Sequence, residues 1–261
     1  MTVMRAHDST VLITPPVWQA LYHAQGDGSD AYLYTCNYEH LVLRMHELQG
    51  YLLGEELEQA NSYATLELKH QFVISRGLLR GLLSLYVQVP PENLVFVYNA
   101  YGKPSLKDYN IHFNLSHARQ KILLAISRHM PIGADIEYCN PTRDLENLKP
   151  FLFNTSEAAW FETLKDEEKR YFFYKVWAQK EALVKAEGMG LSYPLHTIKM
   201  TDQGASRNKF FLNDHTWWCY LLSCDKDYAA AFALPRALRS AAYITIEKTQ
   251  QAFDTIRYIV E

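Results

Sequence analysis

Asp135 and Glu137 stand two residues apart in IGADIEY, an alternating stretch that predicts a strand, and a period of two points both carboxylates to one face. Two neighbouring acids repel. One takes up a proton unless a hard divalent cation with oxygen ligands lets both remain ionised. A solvated acidic edge strand gives the same pattern, so the pair alone decides nothing. In VWAQKEALVKAEGMGL, Trp177, Glu181 and Lys185 recur every four residues and share a helix face, with Lys180 beside it. A carboxylate between two lysines suits phosphate chemistry, although an ordinary surface Glu–Lys pair, worth about 0.3–0.5 kcal/mol, explains that spacing too. YGKPSL supplies Tyr101, Gly102, Lys103 and Pro104 in a turn, and HFNLSHA ends a strand with Ser116 and His117. A lysine, a hydroxyl and an imidazole brought close together suit phosphate recognition; a plain turn and a satisfied histidine are the alternative. Arg76 and Arg80 in SRGLLRGLL lie one helical turn apart and can grip a phosphate or snorkel from an apolar face.

The elements that must hold these residues read as an irregular α+β alternation. Strands are expected at Ala31–Tyr38, Leu94–Tyr98, Ile111–Leu115, Lys121–Ser127 and IGADIEY. Helical spacing runs from Leu52 to Leu85, broken at Gly77 and Gly81. After a seam at Pro131 come a helix from Ser156 to about Leu164 capped by Thr155, a charged DEEKR segment, and a helix from Arg170 to Glu187 closed by Gly188 and Gly190. Strands at Phe210–Leu212, Trp217–Ser223 and Tyr228–Leu234 complete the set.

Composition narrows the function classes. The 261 residues are 48% hydrophobic and carry a net charge of −3, which excludes a disordered chain and argues against a dedicated duplex-binding protein. The longest apolar run, Tyr228–Leu234, is far short of the roughly 20 residues of a spanning helix. The N-terminus reads as lacking an export signal. Cys36, Cys139, Cys219 and Cys224 have neither zinc-site spacing nor the density of a disulfide framework, and are expected as reduced cytoplasmic thiols. Zinc-protease, Walker-type, dinucleotide-binding and nucleophile-elbow signatures are missing.

The order and spacing of the four motifs resemble the Sfp-type (surfactin-type) 4′-phosphopantetheinyl transferases. That family's GKP, (F/N)NxSH, (I/V)G(I/V)D(I/V)E and (F/W)xxKE(S/A)xxK correspond to Gly102–Pro104, Phe113–His117, Ile132–Glu137 and Trp177–Lys185, and its EGxGL recurs at Glu187–Leu191. Ala134 replaces the family's usual Ile or Val, which touches packing and no reactive group. The resemblance covers residues 69 to 198 and only loosely the two ends.

It implies two similar α+β halves about a pseudo-twofold axis, residues 1–130 and 131–261, with coenzyme A in the cleft between them. The implied reaction moves the 4′-phosphopantetheine of coenzyme A onto a serine of an apo acyl or peptidyl carrier protein of fatty acid, polyketide or nonribosomal peptide synthesis. Adenosine 3′,5′-bisphosphate is released. By the same resemblance Mg²⁺, replaceable by Mn²⁺, would bind Asp135, Glu137 and Glu181. Lys180 and Lys185 would face the pyrophosphate. Arg80, or Arg76 a turn away, would hold phosphate with Ser116 and His117, and Tyr101, Gly102, Lys103 and Pro104 would hold the adenine. Asp135, Glu181 and Lys185 would be catalytic, with Glu181 taking the serine proton directly or through water, and Glu137 next in line for that task. Phe151, Leu152 and Phe153 would lie near the carrier. Both walls of the site can come from one such chain, so a cytoplasmic monomer is expected, with no nucleic acid or membrane partner. The alternatives are a non-catalytic coenzyme A-binding relative, which should have lost one of Asp135, Glu181 or Lys185, and a Mg²⁺-dependent phosphohydrolase, which would not explain GKP and NLSH in this order.

Overall fold

The computed structural model describes residues 28–190, 193–201, 205, 207–213 and 215–246, and the backbone of 255–260. The N-terminal segment read for an export signal and Leu191 of the EGxGL motif lie outside the described residues. Among those described, no helix is long and apolar enough to cross a membrane.

The chain runs through β1 (Ala31–Asn37), α1 (Met45–Gly50), α2 (Gly54–Ser62), α3 (Leu66–Val87), β2 (Phe96–Tyr98), β3 (Pro104–Leu106), β4 (His112–Ala118), β5 (Lys121–Ser127) and β6 (Gly133–Tyr138). Then follow α4 (Lys149–Leu152), α5 (Thr155–Thr163), α6 (Asp166–Glu187), β7 (Arg207–Leu212), β8 (His215–Leu222), β9 (Tyr228–Leu234), β10 (Ala241–Ile246) and β11 (Thr255–Val260). One sheet has the order β11-β10-β1-β5-β4, a second β6-β9-β8-β7, and β2 and β3 form a two-stranded third.

Burial follows the period of two. Tyr32, Tyr34, Ile122, Leu124 and Ile126 pack with Ile74, Leu78 and Leu82 of α3, while Leu33, Leu123 and Ala125 on the opposite face meet Ala134, Ile136, Ala230 and Phe232 of the second sheet. Ala229, Ala231 and Ala233 face α6. The result is helix, sheet, sheet, helix, an α+β architecture in which β1, β5 and β9 are buried on both faces while the edge strand β7 alternates exposed and buried. That explains why AYLYTC is buried throughout and shows no polar alternation.

Four expectations need correction. Gly77 and Gly81 do not break the helix: α3 runs unbroken over 22 residues, because at Gly77 a Cβ would stand 2.6 Å from Leu48, so the glycine marks a close helix contact. Asn154, not Thr155, caps α5, its Oδ1 accepting from the amides of Ser156 and Glu157. The DEEKR segment is the first turn of α6, where Asp166, Glu167 and Glu168 suit the positive end of the helix dipole. Finally, β10 runs parallel to β1 and β11 pairs with β10, so residues 241–260 hydrogen-bond into the first sheet rather than into the half begun at Pro131. They cover an edge that β1 would otherwise leave unpaired.

Asp30 fastens this return. Its carboxylate accepts from Arg236 Nη2 at 2.9 Å, Arg239 Nη2 at 2.7 Å and the Arg239 amide at 2.9 Å. The Arg239 hydrogen bonds hold its pKa down at about 2. A carboxylate depressed in the folded state stabilises fully above its unfolded value near 3.9 and loses that contribution as pH falls toward 2. Asp30→Asn is therefore expected to lower stability by about 1–2 kcal/mol at pH 7, the guanidinium partners being partly exposed, and urea titrations of parent and variant should converge near pH 2.

Candidate active site

Two contacts assemble the site. At Gly133 a Cβ would stand 2.0 Å from the Ala182 carbonyl oxygen and 2.3 Å from the Ala186 nitrogen, so only glycine lets the start of β6 lie directly on α6. That approach sets Asp135 and Glu137 opposite Glu181 and Lys185. The second contact joins the edges of the two sheets through side chains: Asn114 Oδ1 accepts from the Ala134 amide at 2.8 Å, and Ser116 Oγ accepts from the Ile136 amide at 3.4 Å. Ser116 Oγ also donates to Asp135 Oδ1 at 2.8 Å, and Lys185 Nζ pairs with the same carboxylate oxygen.

A pocket of about 450 Å³ opens there, lined by Leu115, Ser116, His117, Asp135, Glu137, Trp177, Glu181 and Lys185. A separate pocket of about 580 Å³ lies around Lys121 and Asp225, which pair at 2.9 Å, and contains none of the motif residues.

The electrostatics are those of crowded, desolvated acids. Burial, reinforced by the Asp135 charge, pushes Glu181 and Glu137 each up to about 7. Burial alone would depress the Lys185 ammonium; Asp135, with Glu181 and Glu137, outweighs it and raises its pKa. Burial and the Lys185 charge lower His117. Asp135 Oδ2 and Glu181 Oε2 are buried without a hydrogen-bond partner. Among the described residues no three His, Cys, Asp or Glu side chains are already drawn together as a metal-binding group. The donor chemistry nevertheless fits a hard divalent cation: two orphaned carboxylate oxygens and two acids held near neutrality are what such an ion would satisfy.

Of the expected site residues, Ser116, His117, Asp135, Glu137, Glu181 and Lys185 come together, and the others do not join them. Lys180 is fully enclosed on another face of α6, donating to the Leu152 carbonyl at 2.7 Å and to Glu157 Oε2 at 2.6 Å, so it does not face a pyrophosphate in the pocket. Successive helical residues point about 100° apart, which separates it from Glu181. Arg80, 1% exposed, donates to Glu56 Oε2 and to the carbonyls of Pro91 and Leu94, which leaves no guanidinium face for a phosphate. Arg76 shares Glu56 and reaches the Tyr98 hydroxyl at 2.5 Å, with its guanidinium carbon 4.3 Å from the Phe96 ring centroid.

Lys103 turns to the carbonyls of Ala186 at 2.8 Å and Ile132 at 3.3 Å, and burial lowers its pKa to about 8; it clasps the β2–β3 hairpin to the end of α6 and offers no free point charge. Tyr101, Gly102 and Pro104 stand on that hairpin, Tyr101 exposed. Of the apolar triple, Leu152 and Phe153 are core and Phe151 is 72% exposed. Sequence reasoning did not single out Gly133, Asn114 or Glu56. A glycine inside a strand was the available signal for the first and the Asn of the NLSH motif for the second; Glu56 has no local signature.

The profile of the 4′-phosphopantetheinyl transferase superfamily matches residues 131–233. The 4′-phosphopantetheinyl transferase HetI of Nostoc sp. is 37% identical over 153 residues, 57% of this chain and 65% of that protein. The 4′-phosphopantetheinyl transferase Sfp of Bacillus subtilis is 30% identical over 179 residues, 68% of this chain and 79% of that one. The match to the first thus spans just under two thirds of that relative's length. With the acids, the lysine and the NLSH strand gathered in one pocket, and with these similarities, the chain belongs to the 4′-phosphopantetheinyl transferases of Sfp type.

Proposed function

We propose that this protein transfers the 4′-phosphopantetheine arm of coenzyme A to a serine hydroxyl of an apo carrier protein and releases adenosine 3′,5′-bisphosphate. The observation that carries this reading is the pocket in which Asp135, Glu137, Glu181 and Lys185 meet beneath Ser116 and His117. In the transfer, the serine oxygen bonds to the phosphorus that carries the pantetheine arm while the bond from that phosphorus to the bridging oxygen breaks, and the electron pair leaves with the nucleotide phosphate. The serine proton goes to Glu181, whose raised proton affinity suits a general base. Lys185, kept protonated by its acidic neighbours, neutralises charge that develops on the leaving phosphate. Ser116 holds Asp135 in place.

Asp135, Glu137 and Glu181 would hold Mg²⁺ or Mn²⁺, and the bound ion would polarise the pyrophosphate as a Lewis acid. The backbone of Tyr101–Pro104 would receive the adenine, and His117 a phosphate. Two halves related by a pseudo-twofold axis, a monomeric state and a cytoplasmic location belong to the same reading.

Incubation with coenzyme A, Mg²⁺ and an apo acyl carrier protein should add the mass of phosphopantetheine to the carrier, and excess EDTA should abolish the gain. A coenzyme A-binding relative without activity would leave the carrier mass unchanged. Undiminished transfer in EDTA would refute the metal assignment.

A further inference from the structure

The β2–β3 hairpin proposed to receive the adenine belongs to the first half of the chain, whereas Glu181 and Lys185 stand on a helix of the second. A two-stranded sheet is marginally stable in isolation, so contacts outside the hairpin must fix its position. Its strands are anchored in the first core, where Leu106 is buried and Phe96 packs against the same cluster. The tip, residues 99–103, is placed by hydrogen bonds that converge on Asn99.

Asn99 Oδ1 accepts from the amides of Tyr101 and Lys103, each at 2.9 Å. The Asn99 amide donates to the Lys103 carbonyl at 3.1 Å, and the Asn99 carbonyl accepts from the Gly102 amide at 3.0 Å. One residue thereby closes the turn and engages its three successive amides. The other end of the same side chain leaves the hairpin: Nδ2 donates to the carbonyl of Gly188, the residue that caps α6, at 2.9 Å. The two chains are in close contact there. A Cβ at Gly188 would stand 3.0 Å from Asn99 Nδ2 and 3.2 Å from Lys103 Cδ, and one at Gly190 would stand 3.3 Å from Tyr101 Cβ. Gly188 and Gly190 are thus the seat of the tip. Lys185, three residues before Gly188, and Glu181, about one turn further back, reach the pocket from the same helix.

Asn99 has no ionisable group and does not line that pocket, so it takes no part in the chemistry. Binding energy from a remote part of a substrate serves the reaction only where it is held at a fixed distance from the reacting centre. We infer that Asn99 is a positioning residue for the nucleotide half of coenzyme A: its side chain shapes the Tyr101–Lys103 turn and seats it on the end of α6. This rests on the proposed transfer and names a residue that joins nucleotide recognition to the catalytic helix.

The test uses the full chain and two substitutions. Asn99 is exposed, so truncating it opens no cavity in the core. Asn99→Ala removes both the turn acceptor and the Gly188 donor; Asn99→Ser keeps a short oxygen acceptor for the turn but cannot reach the Gly188 carbonyl. Titration calorimetry with adenosine 3′,5′-bisphosphate should show Kd raised by about tenfold in both variants, the scale of one well-formed hydrogen bond. In carrier mass assays with coenzyme A and Mg²⁺, KM for coenzyme A should rise in step, kcat should fall by less than KM rises, and KM for the carrier should not change. A role confined to holding the fold would lower kcat without moving the bisphosphate Kd, and that result overturns the inference. Parent-like bisphosphate affinity in Asn99→Ser also overturns it, since the Gly188 contact would then seat nothing. A parent that binds the bisphosphate but modifies no carrier would refute the proposed transfer instead, a separate outcome.

Discussion

Glu181→Gln is expected to lower kcat by about 10²–10⁴-fold, the usual span for removing general-base assistance, without recovery at saturating Mg²⁺. The amide keeps the shape and one ligand oxygen but cannot accept the serine proton. Glu181 is 7% exposed and its Oε2 has no hydrogen-bond partner, and burial raises its pKa to about 7 although the Lys185 charge opposes the rise. A base must be ionised to work. The parent's kcat/KM should therefore rise with pH along an acidic limb, and the limb should weaken or vanish in the variant. Stopped-time mass spectrometry of the carrier across pH 5–9 measures both. Restoration of the rate by excess Mg²⁺ with the limb intact would make Glu181 a ligand only and move the base to Glu137.

Lys180→Met should cost about 3–5 kcal/mol of stability, because it leaves Glu157 buried without its counter-ion. Both side chains are wholly enclosed, and burial already depresses the Lys180 pKa against the pull of Glu157. The double variant Lys180→Met/Glu157→Met should recover most of the loss, since a buried pair replaced by apolar volume is often neutral. A residual deficit of about 1 kcal/mol should persist, because Glu157 Oε2 also accepts from the Asn154 amide in the capping box of α5. Urea titration of the parent and the two variants gives these differences. If Lys180→Met keeps the parent's stability but loses kcat, the lysine reaches the substrate in solution and its place in the core is wrong.

Lys180 also illustrates what a sequence pattern cannot separate. In KEALVK, Lys180 precedes Glu181 by one residue and Lys185 follows it by one helical turn, and both read as phosphate contacts. Tertiary packing sends one to Asp135 and the other to Leu152 and Glu157. Arg76 and Arg80 follow the same logic: spacing by one turn was legible, but Glu56, some 20 residues away, fixes their heads. A pattern reports which residues share a face. It does not report what covers that face.

The sequence by itself determined the α+β class, the strands Lys121–Ser127 and Tyr228–Leu234 at their observed limits, and the helix carrying Glu181 and Lys185. These rest on local periods, which are fixed by backbone geometry within a few residues, whereas the six residues that line one pocket were named through the order of motifs that carries the family resemblance. Only the tertiary structure decided that β10 and β11 close the first sheet, that Gly77 and Gly133 are points of close approach, and that Lys103, Lys180 and Arg80 are structural cations. Each of these depends on a partner distant in sequence. Whether a buried charge serves a ligand or the fold is settled by which carbonyl or carboxylate the packing brings within hydrogen-bond reach, because an unpaired charge cannot stay in the core.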